Sequence, residues 1–188
     1  MRNKLLAGAI ILAISAMPAW ANTKGRHATA KAMSDQQFIT KAAQAHIAEI
    51  ELGKLAQSKA SSSEVKNFAA RMVADHEKAL DDLKAIASKQ NITLPTTIDP
   101  KAQALKDRLD KLSGSELHRA YMDAMLKDHR ADVAEFLTES QRAHNPDVKQ
   151  YAANMLPTLR EHLRLAQSTR SAVVGTSGGS THKKAVGQ

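Results

Sequence analysis

FITKAAQAHIAEIELGKLA (residues 38–56) followed by VKNFAARMVADHEKALDDLKAI (residues 65–86) decides the fold class. In the first stretch Phe38, Ala42, Ala45, Glu49, Leu52 and Ala56 recur at alternating steps of four and three. In the second the same steps run through Val65, Ala69, Met72, His76, Ala79, Leu83 and Ile86. Such spacing places one set of residues along one seam of an α-helix, as in helices packed side by side at shallow angles. A strand would need a period of two instead.

Working outward, two more long segments carry the same pattern. Met122, Leu126, His129, Val133 and Phe136 form one seam, and Val148, Ala152, Met155, Leu159, His162 and Ala166 the other. The punctuation agrees with four helices at 34–58, 61–90, 115–143 and 146–169. Ser34 with Gln37, Ser61 with Glu64, and Ser113 with Glu116 have the spacing of a capping box, and Asn145-Pro146 reads as an N-cap followed by proline in the first turn. A weaker helix is expected at 101–112, opened by Asp99-Pro100 and broken by Ser113-Gly114. Pro157 falls inside the last helix, where it must kink the chain and free the carbonyl of Ala153. These elements predict an all-α domain over 34–169: an antiparallel up-down-up-down four-helix bundle with a short extra helix between the second and third. Its two short turns are expected at one end.

The flanks read differently. Arg2 and Lys4, the apolar run 5–17 and Ala19-Trp20-Ala21 have the layout of a secretory signal with cleavage after Ala21. Residues 22–33 read as a flexible lead-in and 170–188, rich in Gly, Ser and Lys, as a disordered tail. No later stretch reaches the roughly 20 apolar residues of a membrane span, so an exported, periplasmic and soluble mature protein is expected. The formal charge of +8 loses Arg2 and Lys4 on cleavage, leaving +6. Lys and Arg are interleaved with Asp and Glu, which describes a solvated surface and not a nucleic-acid footprint. The absence of cysteine excludes disulfides, thiolate nucleophiles, Cys-ligated zinc, iron–sulfur clusters and covalently attached haem. With only 3% aromatic residues, the core must be built of aliphatic residues, Ala and Met.

Each long helix carries one ionisable residue in its seam: Glu49, His76, His129 and His162. Counted from turns near 60 and 144, they lie about 11, 16, 15 and 18 residues along their helices, at 1.5 Å per residue. Because side chains lean toward their own helix N-terminus, all four are expected to converge on one level. Three imidazoles and a carboxylate suit one divalent transition-metal ion such as zinc, copper, nickel or iron. A structural Glu–His ion pair is the competing reading, and a bis-histidine haem site a third. The other histidines, His46, His118, His144, His27 and His182, are expected at surface or boundary positions. Asp75, Asp128 and Glu161, each preceding a seam histidine, are expected on solvated flanks, with a hydrogen bond to an imidazole on the adjacent helix as the alternative. The Glu-x-x-His signature of carboxylate-bridged di-iron bundles is missing, since Val73, Leu126 and Leu159 stand where the acid would be. Neither a phosphate-binding Gly-rich loop nor a G-x-S-x-G nucleophile elbow is present. Nothing here assigns a reaction.

Residues 38–56 and 65–80, the SG-x-x-L-x-x-x-Y run from Ser113 to Tyr121, and LPTLREHL (residues 156–163) together resemble the bacterial exported family called domain of unknown function 4142. The resemblance spans residues 34–167 in order. It implies a ferritin-like four-helix fold and no particular reaction. The matching positions are Glu49, Asp75, His76, Tyr121, His129, Pro157 and His162. His46 and Leu117-His118 depart from the family pattern, which usually has a small or apolar residue and Phe-Asp there. The outer-membrane label common among family members does not suit a chain without barrel strands or a lipidation cysteine at position 22. Two function classes follow: a metal-binding or metal-handling envelope protein, or a non-catalytic interaction or envelope-stress bundle working through its outer surface on an envelope partner or as a homo-oligomer.

Overall fold

The computed structural model describes residues 33–175. The signal, lead-in and tail assignments therefore lie largely outside the described residues. Among the described residues there are five helices: α1 (Asp35–Lys59), α2 (Ser63–Lys89), α3 (Pro100–Asp110), α4 (Gly114–Arg142) and α5 (Pro146–Gly175). There is no strand among the described residues. The protein is an all-α bundle of four long helices with the short α3 lying against α1 and α4.

The helix ends are fixed largely by local chemistry. Ser34 accepts from the backbone N–H of Gln37 while the Gln37 side chain accepts from the Ser34 N–H, so the expected capping box is formed. At α2 the cap is Ser62, one residue later than expected, and its hydroxyl accepts from the Val65 N–H. Ser113 occupies the cap position of α4 without a side-chain cap bond. There Gly114 adopts φ +51°, a left-handed conformation that explains why glycine follows Ser113. Asn91 takes the same region at φ 54° and closes α2, with the Ile92 N–H returning to the Ala87 carbonyl at 2.9 Å. The last helix runs past the expected end at 169 to Gly175 because Val173 continues the seam of His162 and Ala166 and is buried.

The order of the helices around the bundle departs from the expected topology. Asp35, at the start of α1, accepts from the backbone N–H groups of His144 and Asn145 in the α4–α5 turn, at 3.0 and 2.8 Å. His118, near the start of α4, accepts from the Ser61 N–H in the α1–α2 turn at 3.1 Å. The two short turns thus lie at opposite ends, and α4 runs against α1. Helices α2 and α5 also oppose each other, through Lys89–Asp147 at one end and Asp75–His162 nearer the middle. The direction sequence is up-down-down-up, and the long α2–α4 connection carries the chain back along the bundle. That connection, residues 90–113 with α3 inside it, has the length to cross over; a same-end arrangement would not have needed it.

The core divides along the bundle axis. One apolar cluster, with Phe38, Ile39, Leu83, Phe136 and Leu159, fills the end near the α4–α5 turn. The other, with Val65, Met72, Leu117, Met122 and Met125, fills the end near the α1–α2 turn. Between them lies a polar layer.

Candidate metal centre

Each member of that layer comes from the middle of a long helix. His76, His129 and His162 are 1%, 0% and 0% exposed, His46 is 1% exposed and Glu49 4%. One ring nitrogen from each of His76, His129 and His162 lies within 4.8 Å of the others, and their ring centroids are 5.2–5.7 Å apart. Glu49 is not in this group. It belongs to a second one with His129 and Asp132, again within 4.8 Å. The expected quartet is therefore two adjacent groups that share His129.

The proton on each ring can be placed from its outer partner. His129 Nδ1 lies 3.0 Å from the Met125 carbonyl oxygen, which only accepts, so Nδ1 carries the hydrogen and Nε2 a lone pair. His162 Nε2 lies 2.8 Å from the Asp75 carboxylate, so Nε2–H donates and Nδ1 carries the lone pair. Those two lone pairs face each other, His129 Nε2 to His162 Nδ1, at 3.2 Å. On the other side Tyr151 donates to the Ala79 carbonyl at 3.2 Å, and its oxygen accepts from His46 Nε2 at 2.6 Å. His46 Nδ1 then accepts from His76 Nδ1 at 2.8 Å. His76 Nε2 is left with a lone pair, fully buried and without any partner. The reverse relay would leave an N–H at that position with no acceptor.

The electrostatics match these assignments. Burial, followed by the other histidines' charges, pulls His46 down to about 4. Burial and His162 pull His129 down to about 4, against the hydrogen bond to Met125. His76 is lowered well below its ordinary value by burial and by its histidine neighbours. Burial also lowers His162, with Asp75 opposing. Burial pushes the Asp75 carboxyl up, but its bonds to Arg71 and His162 outweigh this and hold it below the ordinary range. Glu49 is raised well above the usual carboxylate value, first by burial and then by Asp132 and Asp128. Burial thus disfavours the charged form of each ring and of the Glu49 carboxyl, which counts against a buried Glu–His ion pair. A haem between His129 and His162 is also excluded, since 3.2 Å between ring nitrogens leaves no space for a porphyrin.

Two residues stand differently from the sequence reading. His46, expected at a boundary, is a central member of the layer. The signal was its place on the second stripe with Ile39, Ala43 and Ile50, all buried. Asp75, expected on a solvated flank, reaches across to the histidine of the facing helix, whereas Glu161 stays outside and pairs with Arg164. His118 is buried and accepts from the α1–α2 turn, while His144 is exposed as expected.

A crystal structure of a DUF305 fragment from Deinococcus radiodurans is similar in fold, with a TM-score of 0.66 at 17% identity over 76% of this chain and 99% of that one. Comparison with curated proteins gives no match. The family model described as "Domain of unknown function (DUF4142)" matches residues 21–169, a span that takes in α1 to α4, most of α5 and every residue of the polar layer, and the chain belongs to that family.

Proposed function

We propose that this is an exported bundle that binds one divalent transition-metal ion through His76, His129 and His162, with a fourth coordination position open beside Glu49. The observation that carries the reading is the unpartnered Nε2 of buried His76 next to two ring nitrogens that face each other with no proton between them. Three buried lone pairs without donors are costly, and one cation satisfies all three. The 3.2 Å between His129 Nε2 and His162 Nδ1 is close to the roughly 3.3 Å that tetrahedral bonds of about 2.0–2.1 Å require. The outer nitrogens are held by a carbonyl, a carboxylate and His46, the arrangement that orients metal-ligating imidazoles. Neutral imidazole donors suit zinc, copper or nickel. Export is supported by the signal-like residues 1–21; among the described residues no helix is long and apolar enough to cross a membrane.

The test is elemental analysis and calorimetry on the untagged chain from Asn22, exposed to zinc, copper or nickel after chelation. About one equivalent should bind, and H76Q or H162Q should lose it. A wild-type protein that stays metal-free would end the reading and leave a non-catalytic interaction bundle.

A further inference from the structure

A groove of about 500 Å³ runs between α1, α3 and α4, floored by Ala45, Ala48 and Ala124 and roofed by Leu105 of α3. It leads from the surface to Glu49, Asp128 and Asp132. The acids around it that have partners are easily accounted for: Glu135 pairs with Lys41, Asp123 with Arg170, and Asp99 caps α3. Glu49 Oε2 is buried and has no hydrogen-bond partner, and neither has the hydroxyl of fully buried Tyr121. Tyr121 lies near enough to Glu49 that the carboxylate's charge adds to burial in raising its hydroxyl.

We propose that this groove carries a second cation site, formed by the carboxylates of Glu49 and Asp132 beside His129, for a divalent cation that prefers oxygen donors, such as Mn²⁺. Donor atoms of the three residues lie within 4.8 Å of one another. His129 Nδ1 is held by the Met125 carbonyl, and the lone pair on its Nε2 is the one the histidine centre uses. The donors left for an ion here are therefore carboxylate oxygens and groove water, the set that suits Mn²⁺, Mg²⁺ or Ca²⁺ over softer metals. The cation would neutralise a cluster of acids that otherwise repel one another: burial, then Asp128 and Glu135, push Asp132 up to about 7. It would also give the unpartnered Glu49 oxygen a ligand. The site takes no ligand from His76 or His162, so although the two groups share His129, variants at those two histidines test it apart from the histidine centre.

The experiment is Mn²⁺ binding followed by electron paramagnetic resonance on the untagged chain from Asn22, on E49Q/D132N and on H76Q/H162Q. Wild type and H76Q/H162Q should each bind about one Mn²⁺. E49Q/D132N should bind it about tenfold more weakly or worse, the least expected for loss of direct ligands when outer partners alone are worth 10- to 100-fold. It should keep its helical circular dichroism. D132N alone, at a partly exposed position, should shift in the same direction and serves if the double variant does not fold. No bound Mn²⁺ at millimolar concentration in wild type, unchanged binding in E49Q/D132N or D132N, or loss of Mn²⁺ in H76Q/H162Q would each overturn the proposal. Failure of zinc, copper and nickel to bind the histidines would leave the Mn²⁺ result readable.

Discussion

At the scale of single residues, the polar layer is organised by where protons sit. Every imidazole in it turns one nitrogen outward to a fixed partner, and the inner lone pairs follow from that choice. Asp75 holds His162 in this way while Arg71 holds Asp75. Replacing it by Asn keeps the shape but removes the charge that favours the Nε2–H tautomer. D75N is expected to weaken metal binding by about 10- to 100-fold, with helicity unchanged; calorimetry on wild type and D75N side by side checks this. Unaltered affinity would mean that the His162–Asp75 bond is only structural.

At the scale of elements, α1 and α2 approach each other through Gly53. A Cβ built there would lie 2.8 Å from Val73 Cγ2 and 3.2 Å from the Ala69 carbonyl oxygen. Alanine would gain about 1 kcal/mol of helix propensity. It would also overpack the contact, which costs about 1–3 kcal/mol, and neither neighbour yields easily: valine is stiff at χ1 in a helix, and the carbonyl belongs to the backbone. G53A should therefore unfold at lower urea concentration than wild type with the same m-value. A rise in the midpoint would show that α1 and α2 can move apart cheaply. Pro157 marks the other irregular element, within α5 and five residues before His162; it cannot donate to the Ala153 carbonyl, so the helix loosens just ahead of a candidate ligand.

At the scale of the whole molecule, the buried layer couples folding to pH in two opposing directions. His46 and His129 have folded values near 4 against about 6.5 unfolded. In that window the unfolded chain binds more protons, so the metal-free protein loses stability as pH falls from about 6.5 toward about 4. Asp132 acts oppositely: its folded value is about 7 against about 3.9 unfolded, so its contribution is present at low pH and is lost as pH rises through about 7. D132N should consequently gain stability relative to wild type as pH rises from about 4 to about 8. Urea unfolding of the two metal-free proteins across that range checks the sign. A gap that narrows instead would place Asp132 in a more solvated setting than its neighbours imply.

The sequence by itself determined the helices, most of their caps and the depth of the polar residues, because period, cap chemistry and rise per residue are local properties. Of the four residues expected on one level, the three histidines meet although the turns lie at opposite ends, while Glu49 falls in the second group. His76, His129 and His162 stand near the midpoints of helices of similar length, and a midpoint is at the same level whichever end the turns occupy. Only the tertiary structure decided which helices are neighbours. That depends on how the long connection crosses the bundle, and no local signal in residues 90–113 states its direction. The consequences were residue by residue: opposing α1 and α4 brought Asp132 to Glu49, opposing α2 and α5 brought Asp75 to His162, and the second stripe of α1 turned His46 inward against Tyr151.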